Sequence, residues 1–502
     1  MQRKTARSGE AVNAPEKIRT PDLRFRSAKR PGLRTLAVSS VKAGPHKQLE
    51  SFIDPMPDTV PTAAPTIAMS PRCVIGITGA FGSGCSTIAS LLCETTSMFR
   101  SVRLSAALRD AWTAEHGDAP APRGALQDMG DAWRREERGR LAREAVERVA
   151  AEANKGEPLE HLVLDGIRNT GEIEYLRDRF GERFFVFAID APASERWDRI
   201  RKEQYEPQGL SYDAFVDDDT RDRDEETIEG QQVQLCVDLA DVFINNTEDR
   251  SAKQIAEHFI PKLEEYVGLL TGDQPRYASQ LELLMNMAYS SANSSKCIKR
   301  QVGAIVASPD GEVLAVGYNE NPDAIRPCID NAEFDNRCYR DNVRDEHFRR
   351  LAATNALCPK CKEPVQAETV PAWRCQKCGS NLANDFFFPD RAMKWCTALH
   401  AEERAIINAR GRDLTGAVLY TTAFPCFLCA EKIIQAGIRH IVFTEAYPDP
   451  HSAALLNQVE DITVEKFDGV RSGSFDRIFG RVRAQVETRL DTERSARVMK
   501  FK

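Results

Sequence analysis

The sequence predicts an α/β protein in two parts. The first is a parallel sheet with helices on both faces. The second is a mixed sheet in an α/β/α sandwich, interrupted by a cysteine-bearing insertion. Three observations carry this prediction. Strands alternate with amphipathic helices from residue 73 to about residue 270, the pattern of crossover units. The strands are short unbroken apolar runs rich in Val and Ile, as expected of strands covered on both faces. After a turn-rich break, a hairpin precedes further helix–strand pairs, which requires antiparallel as well as parallel pairing.

Residues 1–70 are rich in Pro, Ser, Ala and Arg and show no helical or strand period. The first fifty carry twelve Lys or Arg against four Asp or Glu. We read this segment as a disordered basic tail, solvated rather than bound to nucleic acid, and Met56 or Met69 as alternative translation starts. Order begins with Cys73-Val74-Ile75-Gly76-Ile77-Thr78. Further buried strands are expected at 161–165, 184–190 and 242–245, and a helix over 253–270 closes a first domain, 71–270. Thr271-Gly272-Asp273-Gln274-Pro275 reads as a linker. A second domain, 276–490, opens with a helix at 277–292. A hairpin follows, 302–307 and 312–318, around Ser308-Pro309-Asp310-Gly311. Residues 320–395 are a polar insertion. Then come helix 399–410, strand 417–422, helix 427–436 and strand 440–444.

The chain has 502 residues, 42% hydrophobic and 28% charged, enough for cores of ordinary size. A net charge of −7 argues against a nucleic-acid-binding polycation. No apolar run reaches the roughly 18 residues of a membrane span, and no export-signal pattern opens the chain, so the expected location is the cytoplasm. In that reducing compartment the 14 cysteines read as metal ligands before disulfides.

The chemistry concentrates at His400-Ala401-Glu402 and Pro425-Cys426-Phe427-Leu428-Cys429. His-x-Glu followed by Pro-Cys-x-x-Cys is the signature of zinc nucleobase deaminases. Three protein ligands, His400, Cys426 and Cys429, leave a fourth position on zinc for a water whose pKa falls to about 7. Cysteines three apart at a helix start bring two sulfurs to one point and favour their thiolates. Glu402, two residues from His400, is the expected proton shuttle from that water to the ring nitrogen and then to the departing amine. Alone, His-x-Glu is commonly surface decoration and Cys-x-x-Cys half of a structural site; together, each opening a helix, they are far more specific.

Residues 279–480 resemble the deoxycytidylate (dCMP) deaminase family. The resemblance is carried by Ser295-Lys296-Cys297, Val302-Gly303-Ala304-Ile305-Val306, Gly317-Tyr318-Asn319, His400-Ala401-Glu402, Leu419-Tyr420-Thr421-Thr422-Ala423-Phe424-Pro425-Cys426 and Gln435-Ala436-Gly437-Ile438. It implies that Asn319 binds the sugar, that Ala401 offers its backbone N–H to the base, and that Lys296 contacts phosphate, with Ser295, Arg300 and Arg326 as weaker candidates. It also implies a homo-oligomer.

Within the insertion, Cys358-Pro359-Lys360-Cys361 and Cys375-Gln376-Lys377-Cys378 are separated by thirteen residues. This is four-cysteine structural zinc spacing, and a ribbon over about 355–382 is expected to fold around that metal. Cys328, Cys338 and Cys396 have no such spacing and read as core or loop thiols.

The segment after the first strand, Gly79-Ala80-Phe81-Gly82-Ser83-Gly84-Cys85-Ser86, fits the phosphate-binding frame G-x-x-x-x-G-K-[ST] at both glycines and the serine. Its backbone N–H groups suit phosphates at a helix N-terminus, and Ser86 suits Mg²⁺. Cys85 stands where the frame has lysine, which removes the charge that neutralises the β- and γ-phosphates. The loop therefore predicts nucleotide binding and argues against efficient phosphoryl transfer; a decayed loop is the bland alternative. Residues 73–265 resemble nucleoside-monophosphate kinases. Asp165, ending an apolar strand, lies where a metal-side carboxylate is expected. Gly166-Ile167-Arg168 continues as in those kinases, and Arg196 and Arg199 lie where a lid would place arginines.

The whole order resembles the bacterial two-domain antiphage deoxycytidine nucleotide deaminases. That resemblance implies conversion of dCTP and dCMP to dUTP and dUMP. It further implies a regulatory N-terminal module that answers to a nucleoside triphosphate with Mg²⁺ or to a small RNA. A housekeeping dCMP deaminase would not need the extra domain. A polynucleotide deaminase acting on tRNA or single-stranded DNA would call for a basic catalytic domain, which 279–480 is not. A nucleotide sensor with incidental catalysis would not need His400, Glu402, Cys426 and Cys429 together.

Overall fold

Six consecutive buried residues make β1 (Cys73–Thr78) the spine of the first sheet. The structure, a computed structural model, describes residues 70–480 apart from 96–98, 118, 120, 154–158, 224–226, 248–251, 333–335, 354–356, 359, 366–374, 376, 381, 383–395 and 446–449. The basic tail and the alternative starts at Met56 and Met69 lie outside the described residues.

β1 pairs in parallel with β3 (His161–Ile167) on one side and β4 (Phe184–Asp190) on the other. β2 (Phe99–Arg103) extends the sheet beyond β3, and β5 (Val242–Asn245) extends it beyond β4. Sequence reasoning missed β2, because Phe-Arg-Ser-Val-Arg buries only Phe99 and Val102 and presents charge otherwise. The two faces carry separate apolar layers. One contains Val74, Leu162, Leu164 and Val186 under α4 (Arg140–Ala153) and α5 (Thr170–Phe180). The other contains Ile75, Ile77, Val163 and Phe187 under α1 (Cys85–Thr95) and α9 (Ala252–Thr271). α5 starts where it does because Asn169 and Glu172 form a capping box, each side chain taking a backbone N–H of the other's turn.

The second sheet runs β10-β9-β8-β6-β7. β6 (Gly303–Ala307) is antiparallel to β7 (Val313–Tyr318) and to β8 (Val418–Ala423). β9 (His440–Glu445) and β10 (Thr463–Lys466) continue in parallel beyond β8. α10 (Gln280–Ala292), opened by a Ser279–Glu282 capping box, covers one face. Helices Ala401–Asn408 and Phe427–Gln435, called α12 and α13 here, cover the other.

The two parts are joined away from the 271–275 segment as well. After β10 the chain crosses back, and β11 (Gly469–Val470) pairs antiparallel with β5, so the first sheet ends on a strand from the C-terminal part. Apolar residues of both parts form one cluster in which Phe243 meets Phe467 edge-on at 6.2 Å, beside Met285, Tyr420 and Val442. The supposed linker is pinned too, since Asp273 pairs with Arg72 at 2.7 Å. A two-residue strand has too little periodicity to be read from sequence, which is why this return was not anticipated.

Candidate active site

α12 and α13 each begin directly after an extended segment, and His400 and Cys426 are their N-cap residues. Both helix N-termini therefore converge on one point. The ligand atoms of His400, Cys426 and Cys429 lie within 4.8 Å of one another. His400 Nδ1 is 3.3 Å from the Cys426 sulfur and 3.2 Å from that of Cys429. α12 approaches β7 so closely that a Cβ on Gly317 would sit 2.1 Å from the Ala401 carbonyl oxygen, so only glycine fits. Glu403 ties the helices together: its carboxylate accepts the His400 backbone N–H at 3.0 Å and pairs with Lys432 at 2.7 Å. Ser452 Oγ donates to the Pro425 carbonyl at 2.7 Å and fixes the turn before Cys426.

The electrostatics suit a metal. The hydrogen bond with Cys429 pulls the Cys426 thiol down to about 4, against burial and with help from His400. Burial disfavours the His400 imidazolium, but the bond to Cys426 and the Glu402 carboxylate outweigh it and raise the ring to about 9. Glu402 is 4% exposed, and burial raises its carboxyl. Its Oε2 lies 3.6 Å from the Cys429 sulfur, outside the trio but facing it. One imidazole and two thiols with a buried carboxyl alongside is a donor set that fits zinc with one coordination position left open.

In the insertion the four sulfurs of Cys358, Cys361, Cys375 and Cys378 also lie within 4.8 Å of one another. Each knuckle turns the same way: Lys362 N–H donates to the Cys358 carbonyl and Gly379 N–H to that of Cys375, and Lys362 and Gly379 both have positive φ. Backbone N–H from Cys361 and the Ser380 hydroxyl hold the Cys358 thiol down, at about 6. The accompanying core is only Val365 and Leu382 with the cysteines, too small to hold a fold unaided. Among the described residues no third group converges in this way. Cys328 lies in a single-turn helix, while burial, then Cys297 and Cys338 nearby, raise the Cys396 thiol.

The substrate-side residues are placed less freely than expected. The Asn319 amide is engaged with backbone: Oδ1 accepts from Val302 N–H at 2.7 Å, and Nδ2 donates to the Arg300 carbonyl at 2.8 Å. It therefore shapes the 295–302 loop directly and has only its remaining donor and lone pair for a ligand. Lys296 reaches Asp330 at 3.6 Å, Lys299 pairs with Asp341 and Arg300 with Glu445. Arg326 is exposed. Ser295, Lys296, Lys299 and Arg300 line an open cavity of about 620 Å³. Sequence reasoning also missed Arg404, whose guanidinium lies 4.5 Å over the Tyr318 ring.

In the first sheet, the glycine loop follows β1 and opens α1, with Gly82 and Gly84 at φ +80° and +101°. A Cβ on Gly79 would meet the Ile189 carbonyl oxygen at 2.3 Å. Ser86 Oγ donates to Asp165 at 2.8 Å, so the two groups expected around Mg²⁺ are adjacent. Burial raises the Cys85 thiol to about 11, so it is neutral where lysine would be charged. Arg168 is held by Asp222 at 2.6 Å, and Arg123 shares that carboxylate while lying 3.5 Å over the Phe81 ring. The lid reading of Arg196 and Arg199 is corrected. Arg196 is 2% exposed, fixed by Asp219 and by the Phe81 carbonyl, and Arg199 bonds the Asn246 carbonyl at 2.8 Å. Arg196 braces the loop directly and Arg199 braces the Asn246 backbone beside it; a buried arginine held on several sides, as Arg196 is, cannot swing as a lid.

Comparison with known proteins bears on this geometry. Residues 278–445 match the family described as Cytidine and deoxycytidylate deaminase zinc-binding region. That region is thus similar to the dCMP and cytidine deaminases. Residues 75–229 match an AAA domain family, in keeping with the glycine loop. A deoxycytidylate deaminase of Saccharomyces cerevisiae is 25% identical over 292 residues, covering 57% of this chain and 75% of that protein. That of Schizosaccharomyces pombe is 29% identical over 221 residues, covering 43% of this chain and 51% of its own length. That of Homo sapiens is 27% identical over 195 residues, 38% of this chain and 81% of its own. The chain is thus an enzyme, a hydrolase, with a P-loop-like domain attached. No helix among the described residues is long and apolar enough to cross a membrane.

Proposed function

We propose that the chain deaminates free deoxycytidine nucleotides, dCMP and dCTP, to dUMP and dUTP with release of ammonia. The observation that carries this reading is the convergence of His400, Cys426 and Cys429 beside buried Glu402. Zinc bound there supplies a Lewis acid that lowers the pKa of a water molecule. The rest is the work of side chains. Glu402, whose carboxyl burial raises above the usual carboxylate range, accepts a proton from that water and delivers it to the ring nitrogen. Oxygen adds at the carbon bearing the amine, the C–N bond breaks, and a proton passed through Glu402 leaves with ammonia. Ala401, buried at the first position of α12, offers its N–H to the base, and Asn319 meets the sugar with its free valences.

The basic loop supports a phosphorylated substrate. Lys296, Lys299 and Arg300 face one cavity, and each is neutralised by a carboxylate that an incoming phosphate would displace. The four-cysteine cluster holds a structural zinc. The glycine loop binds a nucleoside triphosphate with Mg²⁺ as a regulatory ligand, with Gly79, Gly82 and Gly84 forming the cradle and Ser86 and Asp165 at the metal. On this reading the enzyme is a cytoplasmic homo-oligomer that depletes dCTP in antiphage defence, and a small RNA is a further regulator.

The test is direct. Purified protein is incubated with dCMP, dCTP, CTP, deoxycytidine and single-stranded DNA, and uracil products are measured by mass. Uracil from dCMP and dCTP is the expected result; uracil only in the polynucleotide would overturn the reading.

A further inference from the structure

The glycine loop and the zinc centre lie in different sheets, yet few covalent and hydrogen-bonded steps separate them. Asn246, 7% exposed, follows β5 and donates its Nδ2 to the Ser83 carbonyl at 2.8 Å, while a Cβ on Gly84 would strike that nitrogen at 2.5 Å. Asn246 thus fixes the loop's Ser83–Gly84 peptide, whose orientation decides whether its N–H groups face a phosphate. One residue earlier, the Asn245 N–H donates to Asp468 Oδ2 at 2.9 Å.

Asp468 belongs to the C-terminal part. It stands in the two-residue step between β10 and β11, where the chain leaves one sheet and enters the other. Lys262 of α9 pairs with it at 2.5 Å and Tyr266 donates to it at 3.4 Å. Its neighbour Phe467 donates N–H to the Phe443 carbonyl of β9 at 2.7 Å and packs on Phe243 of β5. Lys466 reaches back to Asp190, at the end of β4, at 2.5 Å. β9 ends at Glu445, whose carbonyl accepts the Phe424 N–H at 2.8 Å, two residues before Cys426. The Glu445 carboxylate also holds Arg300 on the substrate-side loop.

We propose that Asp468 couples the conformation of the glycine loop to the zinc centre, through Asn245 and Asn246 on one side and Phe467, β9 and Glu445 on the other. This deepens the proposed regulatory role of the loop and rests on it. The path consists of strand backbone with buried Asn246 and Phe467 and half-buried Asn245, Asp468 and Glu445, each held by a hydrogen bond or ion pair, so a rotation of the 83–84 peptide is passed on rather than absorbed. Coupling of this kind is reciprocal: occupancy of the cavity lined by the 295–301 loop also biases the glycine loop.

A double-mutant cycle on the full-length protein tests the proposal, with Asn246→Ala, Asp468→Asn and the pair together. Neither residue belongs to the catalytic or substrate-binding set. The primary readout is amide hydrogen exchange of residues 424–430. Asn246→Ala is expected to speed that exchange by about threefold, and to change it by less than about 1.5-fold once Asp468→Asn is present. An unchanged 424–430 segment in Asn246→Ala, or an equal effect in both backgrounds, overturns the coupling. Should Asp468→Asn not fold, Lys262→Met removes the cation from the same carboxylate and completes the cycle. Turnover of dCMP by the unaltered protein, measured alongside, reports on the deaminase reading separately, because the exchange cycle gives its answer whether or not uracil forms.

Discussion

Two cysteines in this molecule stand at helix N-termini, and their acidities lie at opposite ends of the thiol range. Cys426, at the start of α13, titrates at about 4; Cys85, at the start of α1, is pushed to about 11. A helix N-terminus favours a thiolate in both places. What differs is the company. Cys426 has Cys429 and the His400 ring within hydrogen-bonding distance, and an imidazolium there is supported by Glu402. Cys85 is half-buried against the apolar layer with the Ser83 hydroxyl at 3.4 Å, and the Asp165 carboxylate works against its ionisation. The dipole alone therefore decides neither case. Partnered donors build a reactive centre, and desolvation leaves a neutral filler. The His400, Cys426 and Cys429 trio has a donor set that fits zinc, whereas the glycine loop carries a neutral thiol where its frame has lysine.

The largest effect is expected at Glu402. Glu402→Ala is expected to lower kcat by about 10³-fold, within the usual span for losing a general acid–base, while zinc content stays unchanged because the carboxyl is not a ligand. Metal analysis with steady-state kinetics on dCMP checks both halves; normal turnover would remove the proton shuttle from this residue.

A smaller effect comes from the ionisation of Cys426 and His400. In zinc-free protein, Cys426 at about 4 lies below an unfolded thiol at about 8.5. A depressed acid stabilises the fold in full above the unfolded value, and loses that contribution as pH falls through the folded one. His400, raised to about 9, runs the other way: its contribution is full below about 6.5 and is lost as pH rises through 9. From pH 6 to pH 4 only the thiolate of this pair titrates. The melting temperature of the EDTA-treated protein should fall across that window, and Cys426→Ser should flatten the fall. Parallel curves would mean that the His400–Cys426 pair does not form without metal.

The same contrast explains what could be read from sequence. Metal spacing is local and chemically distinctive, so both cysteine groups were legible, and the continuous apolar strands β1, β3, β4 and β5 announced a buried parallel sheet. β2 was not legible because its charged residues hide two buried positions. β11 was not because two residues carry no period. Partners distant in the chain stayed invisible: nothing near Arg196 announces Asp219, and nothing near Arg300 announces Glu445. Arginines that spacing placed on a mobile lid are braces, since burial with a paired carboxylate is a property of the fold and not of the helix that carries them.

The subtlest test restores the missing charge. Cys85→Lys places an ammonium at a half-buried position near Arg168, which already acts electrostatically on it. Without a ligand, desolvation and that like charge should lower the melting temperature, although the nearby Asp165 offsets part of the cost. With ATP and Mg²⁺ the sign should reverse, because the new cation meets the phosphates directly. An affinity gain of about tenfold by titration calorimetry corresponds to roughly 1.4 kcal/mol, a modest return for a charge–phosphate contact. If affinity does not rise, shape was not all the loop retained, and Arg123 and Arg168, sharing the single Asp222 carboxylate, already serve as its counter-charge.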